Sequence, residues 1–212
     1  MKIHVADHAK SRLITPQFIS DYTAEIEQAY NDASVLLEFG SKHINFFIQP
    51  SRHVIKETGL NAFTINSEFV SLNFDEDMTL GEKVIIGNVR SMIFHEMSHA
   101  ARFNLSIWHA TAIDMSIFEG LATVFEREHV GSEPLWGQYD ADVIHEWFAE
   151  LNALDDGVLD NEYRFKHHDG RRWISYKVGT YIVDEAMRLS GKSIIECTQM
   201  ECSAILALAD LD

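Results

Sequence analysis

The chain has 212 residues, 46% of them hydrophobic, with 33 acidic against 17 basic side chains and a formal net charge of −16. That length sustains one large domain with a real core. The acidic balance disfavours nucleic acid and anionic membrane as partners, since both select basic patches.

The two cysteines, Cys197 and Cys202, are spaced so that they do not face each other on a helix, and no disulfide framework is expected. Residues 1–12 contain no apolar signal core, and no apolar run reaches bilayer length. A soluble, cytoplasmic protein in a reducing compartment is expected.

In chain order, Pro16 precedes an amphipathic stretch over 17–39. It has Phe18, Ile19, Tyr22, Ile26, Ala29, Tyr30, Ala33, Leu36 and Leu37 at helical spacing. Gly40 is the C′ candidate for that helix. A strand is predicted over 43–49, stopped by Pro50. Runs 61–65 and 68–74 read as a hairpin about Asn66-Ser67.

Asp75-Glu76-Asp77 reads as a solvated acidic loop rather than a cation site. Thr79 and Glu82 have capping-box spacing. They open a helix to about Asn104, buried through Val84, Ile85, Val89, Met92, Ile93 and Met97. Further helices are predicted over about 110–129, ended by Gly131 and Pro134, and over about 139–154 and 174–189. The last of these is closed by Ser190-Gly191. Residues 155–172, with Asp155-Asp156-Gly157 and His167-His168-Asp169-Gly170, read as a loop. Ser193 and Glu196 form a capping box for the final helical segment.

The fold class expected is therefore α+β in a single domain over 1–212. A helix and a small antiparallel or mixed sheet occupy about 1–78, and a mostly helical lobe occupies about 79–212.

The stretch that carries chemistry is His95-Glu96-Met97-Ser98-His99, an HExxH motif. Residues i and i+4 share a helix face, so His95 and His99 can present two imidazoles to one metal ion. Glu96 is rotated about 100° from His95, beside a metal-bound water without being a ligand. That is the zinc metallopeptidase arrangement of two histidines and a general base.

A catalytic zinc takes a third protein ligand. Glu119, in Phe118-Glu119-Gly120-Leu121-Ala122, is the leading candidate. A glycine inside a helix costs about 1 kcal/mol against alanine, and close approach of two helices is a reason to keep Gly120. Such an approach would bring Glu119 to a zinc held by the neighbouring helix. Taken alone, Glu119 would be a surface charge and Gly120 a packing glycine. Ligand types by themselves do not separate zinc from other divalent metals.

His95 to His99 with Glu119 resembles the gluzincin, thermolysin-like metallopeptidases. HEMSHAAR, then FEGLA, then Tyr176-Lys177-Val178-Gly179 resemble a bacterial family of predicted zinc-dependent proteases known as a domain of unknown function. The resemblance runs from about Ile44 to the C-terminus. It implies a zincin-like lobe, one zinc ion on His95, His99 and Glu119, and Glu96 as base. It departs at Thr123, where gluzincins often carry an aspartate that orients a ligand histidine. Thr123, Asp114 or a backbone carbonyl would have to fill that role.

By this resemblance Glu96 takes a proton from the attacking water and passes it to the leaving amine of a peptide substrate. A further donor is needed for the oxyanion. Tyr176 is the first choice, with Tyr181, His167, His168 and Arg172 as alternatives and core packing or solvated loops as the bland readings. Arg102, one turn beyond His99, either pairs with a carboxylate near the metal or is a surface arginine at a helix end. His109 and His129 are left out of the site.

The sheet edge at 61–65 or 68–74 is a candidate for adding an extended substrate as a strand. The competing functions are a catalytically silent zinc- or peptide-binding protein and a non-peptidase metal hydrolase.

Overall fold

The computed structural model describes residues 1–6, 14–38, 43–107, 111–154 and 161–211. Gly40, His109, the expected start of a helix at residue 110 and the Asp155-Asp156-Gly157 turn lie outside the described residues.

Two compact units divide the chain. Residues 1–104 contain β1 (Lys2–Val5), α1 (Pro16–Leu36), β2 (Asn45–Ser51), β3 (Leu60–Asn66), β4 (Phe69–Asp75) and α2 (Glu82–Asn104). Residues 105–212 contain α3 (Ala112–Val130), α4 (Ile144–Asn152), α5 (Asn161–Arg164), α6 (Ile174–Ser190), α7 (Ile194–Thr198) and α8 (Cys202–Leu208). One small mixed sheet with helices around it is the expected α+β class. No described helix is long and apolar enough to cross a membrane.

In the first unit the strand order is β1-β2-β4-β3. β1 and β4 run parallel to β2, and β3 runs antiparallel to β4. Phe46, Ile48, Val70, Leu72 and Phe74 are buried. Phe18 and Tyr22 of α1 pack edge-on against Phe74, and Tyr30 packs against Phe46. The Thr15 hydroxyl caps α1 by accepting from the Phe18 N–H, with Pro16 in the first turn. Arg90 of α2 binds Asp32 of α1 at 2.7 Å.

Several local expectations are corrected here. β1 was not anticipated: it has four residues, mostly exposed, with no apolar alternation to signal it. Pro50 does not stop β2, which continues to Ser51 with Pro50 opposite Phe74. β1 has ended by then, its Val5 opposite Ile48. Among the described residues no strand pairs with β2 on that side at Pro50, where a missing donor is tolerated.

The Thr79–Glu82 capping box does not form. The Thr79 N–H donates to Asp75 Oδ2, and Glu82 Oε1 accepts from the Thr15 hydroxyl. Gly81, at φ +79°, starts the helix instead, its carbonyl accepting from Val84 and Ile85. Asp75 is buried rather than solvated, accepting from the N–H groups of Asp77 and Thr79.

In the second unit α3 and α6 are packed backbone to backbone. A Cβ on Gly120 would lie 2.1 Å from the Gly179 carbonyl carbon, and one on Gly179 would lie 1.7 Å from the Ser116 oxygen. One turn away the Ser116 and Ser175 hydroxyls meet at 3.1 Å. Farther along, Arg127 of α3 binds both carboxylate oxygens of Asp184 on α6, and the Tyr139 hydroxyl donates to the same group.

Thr111 and Asp114 form a capping box for α3, and Gly131 ends it at φ +72°. Gly191 closes α6, and the Ser193–Glu196 box opens α7, both as the sequence predicts. α4 is shorter than the predicted 139–154, because residues 141–143 are turn. Within the predicted 155–172 loop, residues 161–164 are helical and Lys166 pairs with Arg172. Cys197 and Cys202 lie buried on α7 and α8.

Candidate active-site residues

The HExxH motif lies in the C-terminal half of α2, where residues 92–102 are continuously buried. His95 and His99 are one turn apart, their rings edge to face with centroids 4.8 Å apart. Both are buried. A rigid, buried helix is the element that fixes two side chains with least freedom.

Glu96 is buried too, and its carboxylate has a defined partner that the sequence reading did not name. The Thr64 hydroxyl lies 2.6 Å from Glu96 Oε2 and 3.1 Å from the Glu96 carbonyl. Thr64 is 5% exposed, while its neighbours Phe63 and Ile65 are each 56% exposed. The strand alternation therefore turns Thr64 onto α2 while its two neighbours face outward. A register shift between Thr64 and Asn66 leaves Ile65 as the extra residue, a bulge of the kind that re-aims side chains at functional positions. A threonine in a strand is ordinary, so only the hairpin register could have pointed to it.

Arg102 is fully buried, which removes the surface-arginine reading. A guanidinium at that depth requires hydrogen-bonding partners.

In the second unit Glu119 is 2% exposed at the middle of α3, so it is no surface charge. Its Oε1 accepts from Arg164 Nη2 at 2.7 Å. Burial acts to lower the Arg164 pKa, but the charge of Glu119 and a hydrogen bond with the Tyr176 side chain outweigh it, and the net direction is up. Arg164 is thus a fixed cation joining Glu119 to Tyr176. The sequence reading missed it, because one arginine in a polar stretch carries no signal.

Gly120 does allow two helices to touch, and within this unit the partner is α6: the glycine of the FEGLA motif meets the glycine of Tyr176-Lys177-Val178-Gly179. Thr123 donates to the Glu119 carbonyl at 2.8 Å, a bond within its own helix. Asp114 Oδ2 accepts from the Thr111 N–H as the cap of α3.

Tyr176 is half-buried, its ring edge-on to Trp173. Each alternative donor has another partner. Tyr181 reaches His145 of α4 at 3.4 Å. His167 binds Asp169, and His168 binds Glu162. Arg172 lies over the Trp173 ring. His129 packs on Phe125, and burial lowers its pKa.

The motif on α2, the buried carboxylate on α3 and the mixed sheet define the class: an α+β protein with an HExxH helix. A family model described as a predicted Zn-dependent protease (DUF2268) matches residues 22–207, and the chain belongs to that family. No curated protein and no solved structure matches the chain.

Proposed function

We propose that the protein is a zinc-dependent peptidase in which His95, His99 and Glu119 hold one zinc ion and Glu96 is the general base. The observation that carries this reading is the state of Glu96. It is a buried carboxylate, one residue from a ligand histidine, held by the Thr64 hydroxyl. A purely structural zinc site needs no such base and closes with four ligands. The family's description as a predicted Zn-dependent protease supports the same reading.

The donor set fits the ion. Two imidazoles and one carboxylate suit a borderline divalent metal and leave a position open. Zinc, when bound, supplies a water of lowered pKa and a Lewis acid for a carbonyl. Glu96 accepts the proton of the attacking water and returns it to the departing amine. Thr64 keeps the carboxylate oriented between those transfers. Arg164 neutralises one oxygen of Glu119 and fixes the carboxylate plane. Tyr176, hydrogen-bonded to Arg164, is the proposed donor to the oxyanion.

The substrate is a peptide or protein segment that adds along β3. That strand is the sheet's edge, whereas β4 lies between β2 and β3 and cannot accept another strand. Two buried cysteines on separate helices suit a reducing compartment such as the cytoplasm.

The test is metal content and peptide-library cleavage for wild type and Glu96→Gln. One zinc per chain in both, with cleavage lost only in the variant, is the expected result. A wild type that binds no metal at neutral pH overturns the reading. If Glu96→Gln retained full biological function, the silent zinc- or peptide-binding protein would take its place. Cleavage of a non-peptide substrate with the same Glu96 dependence would instead favour a different metal hydrolase.

A further inference from the structure

We infer a second divalent-metal site, wholly within the second unit, formed by Glu162, His167 and His168. One donor atom from each of these residues lies within 4.8 Å of the others. The three come from α5 and the turn that follows it, so they are close in sequence and in space. Two imidazoles with one carboxylate suit zinc, cobalt or nickel rather than calcium or magnesium, which prefer oxygen alone.

The site is built and not merely crowded. His167 is buried, and its Nδ1 donates to Asp169 Oδ2 at 2.8 Å. With Nδ1 engaged by Asp169, Nε2 is the ring nitrogen left to bind a metal. A carboxylate behind an imidazole is the support that ligand histidines require, since it fixes the tautomer and raises basicity.

Asp169 is itself held. Its Oδ1 accepts from the Arg171 backbone N–H at 3.0 Å, and its Oδ2 accepts from Arg171 Nε at 2.7 Å. Arg171 continues the chain to Glu150 of α4, at 2.6 Å and 3.0 Å. The Tyr163 hydroxyl donates to the same Glu150, and its ring lies against His167. One ligand is therefore rigid and buried. The other two, Glu162 and the 73%-exposed His168 side chain, sit 3.1 Å apart at the surface.

The position gives the site a consequence. Arg164, which holds Glu119, is two residues from Glu162 on the same short helix. A metal that ties Glu162 to His167 and His168 clamps that helix to the turn after it, and with it the Arg164 side chain.

The test is titration of the chelator-stripped full chain with cobalt(II), followed by its visible absorption and by stoichiometry, in wild type and in Glu162→Gln/His168→Asn. Both substituted positions are exposed, so folding is retained, and circular dichroism verifies it. The double variant is expected to bind one cobalt fewer than wild type, whatever the wild-type total. Asp169→Asn is expected to weaken that same equivalent by about 10- to 100-fold. Unchanged stoichiometry and affinity in the double variant overturn the inference. The HExxH site is read separately: if it fails to bind metal, wild type takes one equivalent and the double variant none.

Discussion

The Thr64 hydroxyl lies 2.6 Å from the Glu96 carboxylate, so the edge strand of the sheet and the motif helix share a buried hydrogen bond. A bond to a charged acceptor in a buried setting is worth about 1.5–3 kcal/mol. Thr64→Val keeps the shape and removes the donor. It is expected to lower kcat by about 10-fold or more and to destabilise the fold by about 1–3 kcal/mol, with metal content unchanged. Thr64→Ser restores the hydroxyl and should recover most of the rate. Parallel kcat, urea-denaturation and metal measurements on the two variants separate positioning from plain loss of stability.

Arg164 should matter for metal retention more than for folding. Its guanidinium fixes one oxygen of Glu119, and groups that orient a metal ligand typically contribute 10- to 100-fold in affinity. Arg164→Gln is expected to weaken zinc by that factor in a chelator competition. Arg164→Lys should fall between, because it keeps the charge but loses the planar fork. Equal zinc affinity in all three proteins would remove Arg164 from the site.

Which parts of this were legible in sequence follows from the range of each signal. HExxH, the Gly131 end of α3, the α7 cap and the α6 helix are local patterns, and each appears where its spacing placed it. Gly120 signalled a helix contact but could not name the partner, since backbone approach is a tertiary fact. Glu119 read as a candidate because of its company and not its type. Arg164 and Thr64 were invisible: one sits in a polar stretch, the other in a short strand, and their meaning comes from residues 45 and 32 positions away. Pro50 misled because strand-breaking depends on which neighbours are present, and β1 was unseen. The Thr79–Glu82 pattern misled because Asp75 and Thr15 took its two members.

The α3–α6 contact predicts a large penalty for the smallest side chain. A methyl on Gly179 would fall 1.7 Å from the Ser116 carbonyl oxygen, and one on Gly120 would fall 2.1 Å from backbone. Neither neighbour is a flexible side-chain end, so the helices must separate. Overpacking typically costs about 1–3 kcal/mol, and a clash with backbone at this distance lies at or above the top of that range. Gly179→Ala and Gly120→Ala are each expected to lower the urea midpoint strongly or to abolish folding. Gly87→Ala, with nothing within 4 Å of its Cβ, should leave stability unchanged or improve it by about 1 kcal/mol. Equal midpoints for Gly120→Ala and Gly87→Ala would contradict the packing.

Asp75 gives a prediction with a definite sign in pH. Burial acts to raise its pKa, but hydrogen bonds from Thr79 and from the Asp77 N–H outweigh it, and the net direction is down. A carboxylate held below its unfolded value of 3.8 binds fewer protons in the folded chain. Its contribution is complete at neutral pH and fades as pH falls through that value and below it. Asp75→Ala removes both the charge and the acceptor for the 75–79 turn that leads into α2. Its stability deficit against wild type, measured by urea unfolding, should be largest and flat from pH 6 to pH 8 and should shrink below about pH 4. A deficit that grew on acidification would mean that Asp75 is stabilised in its protonated form, and would reverse the assignment of the Thr79 and Asp77 bonds as bonds to a carboxylate.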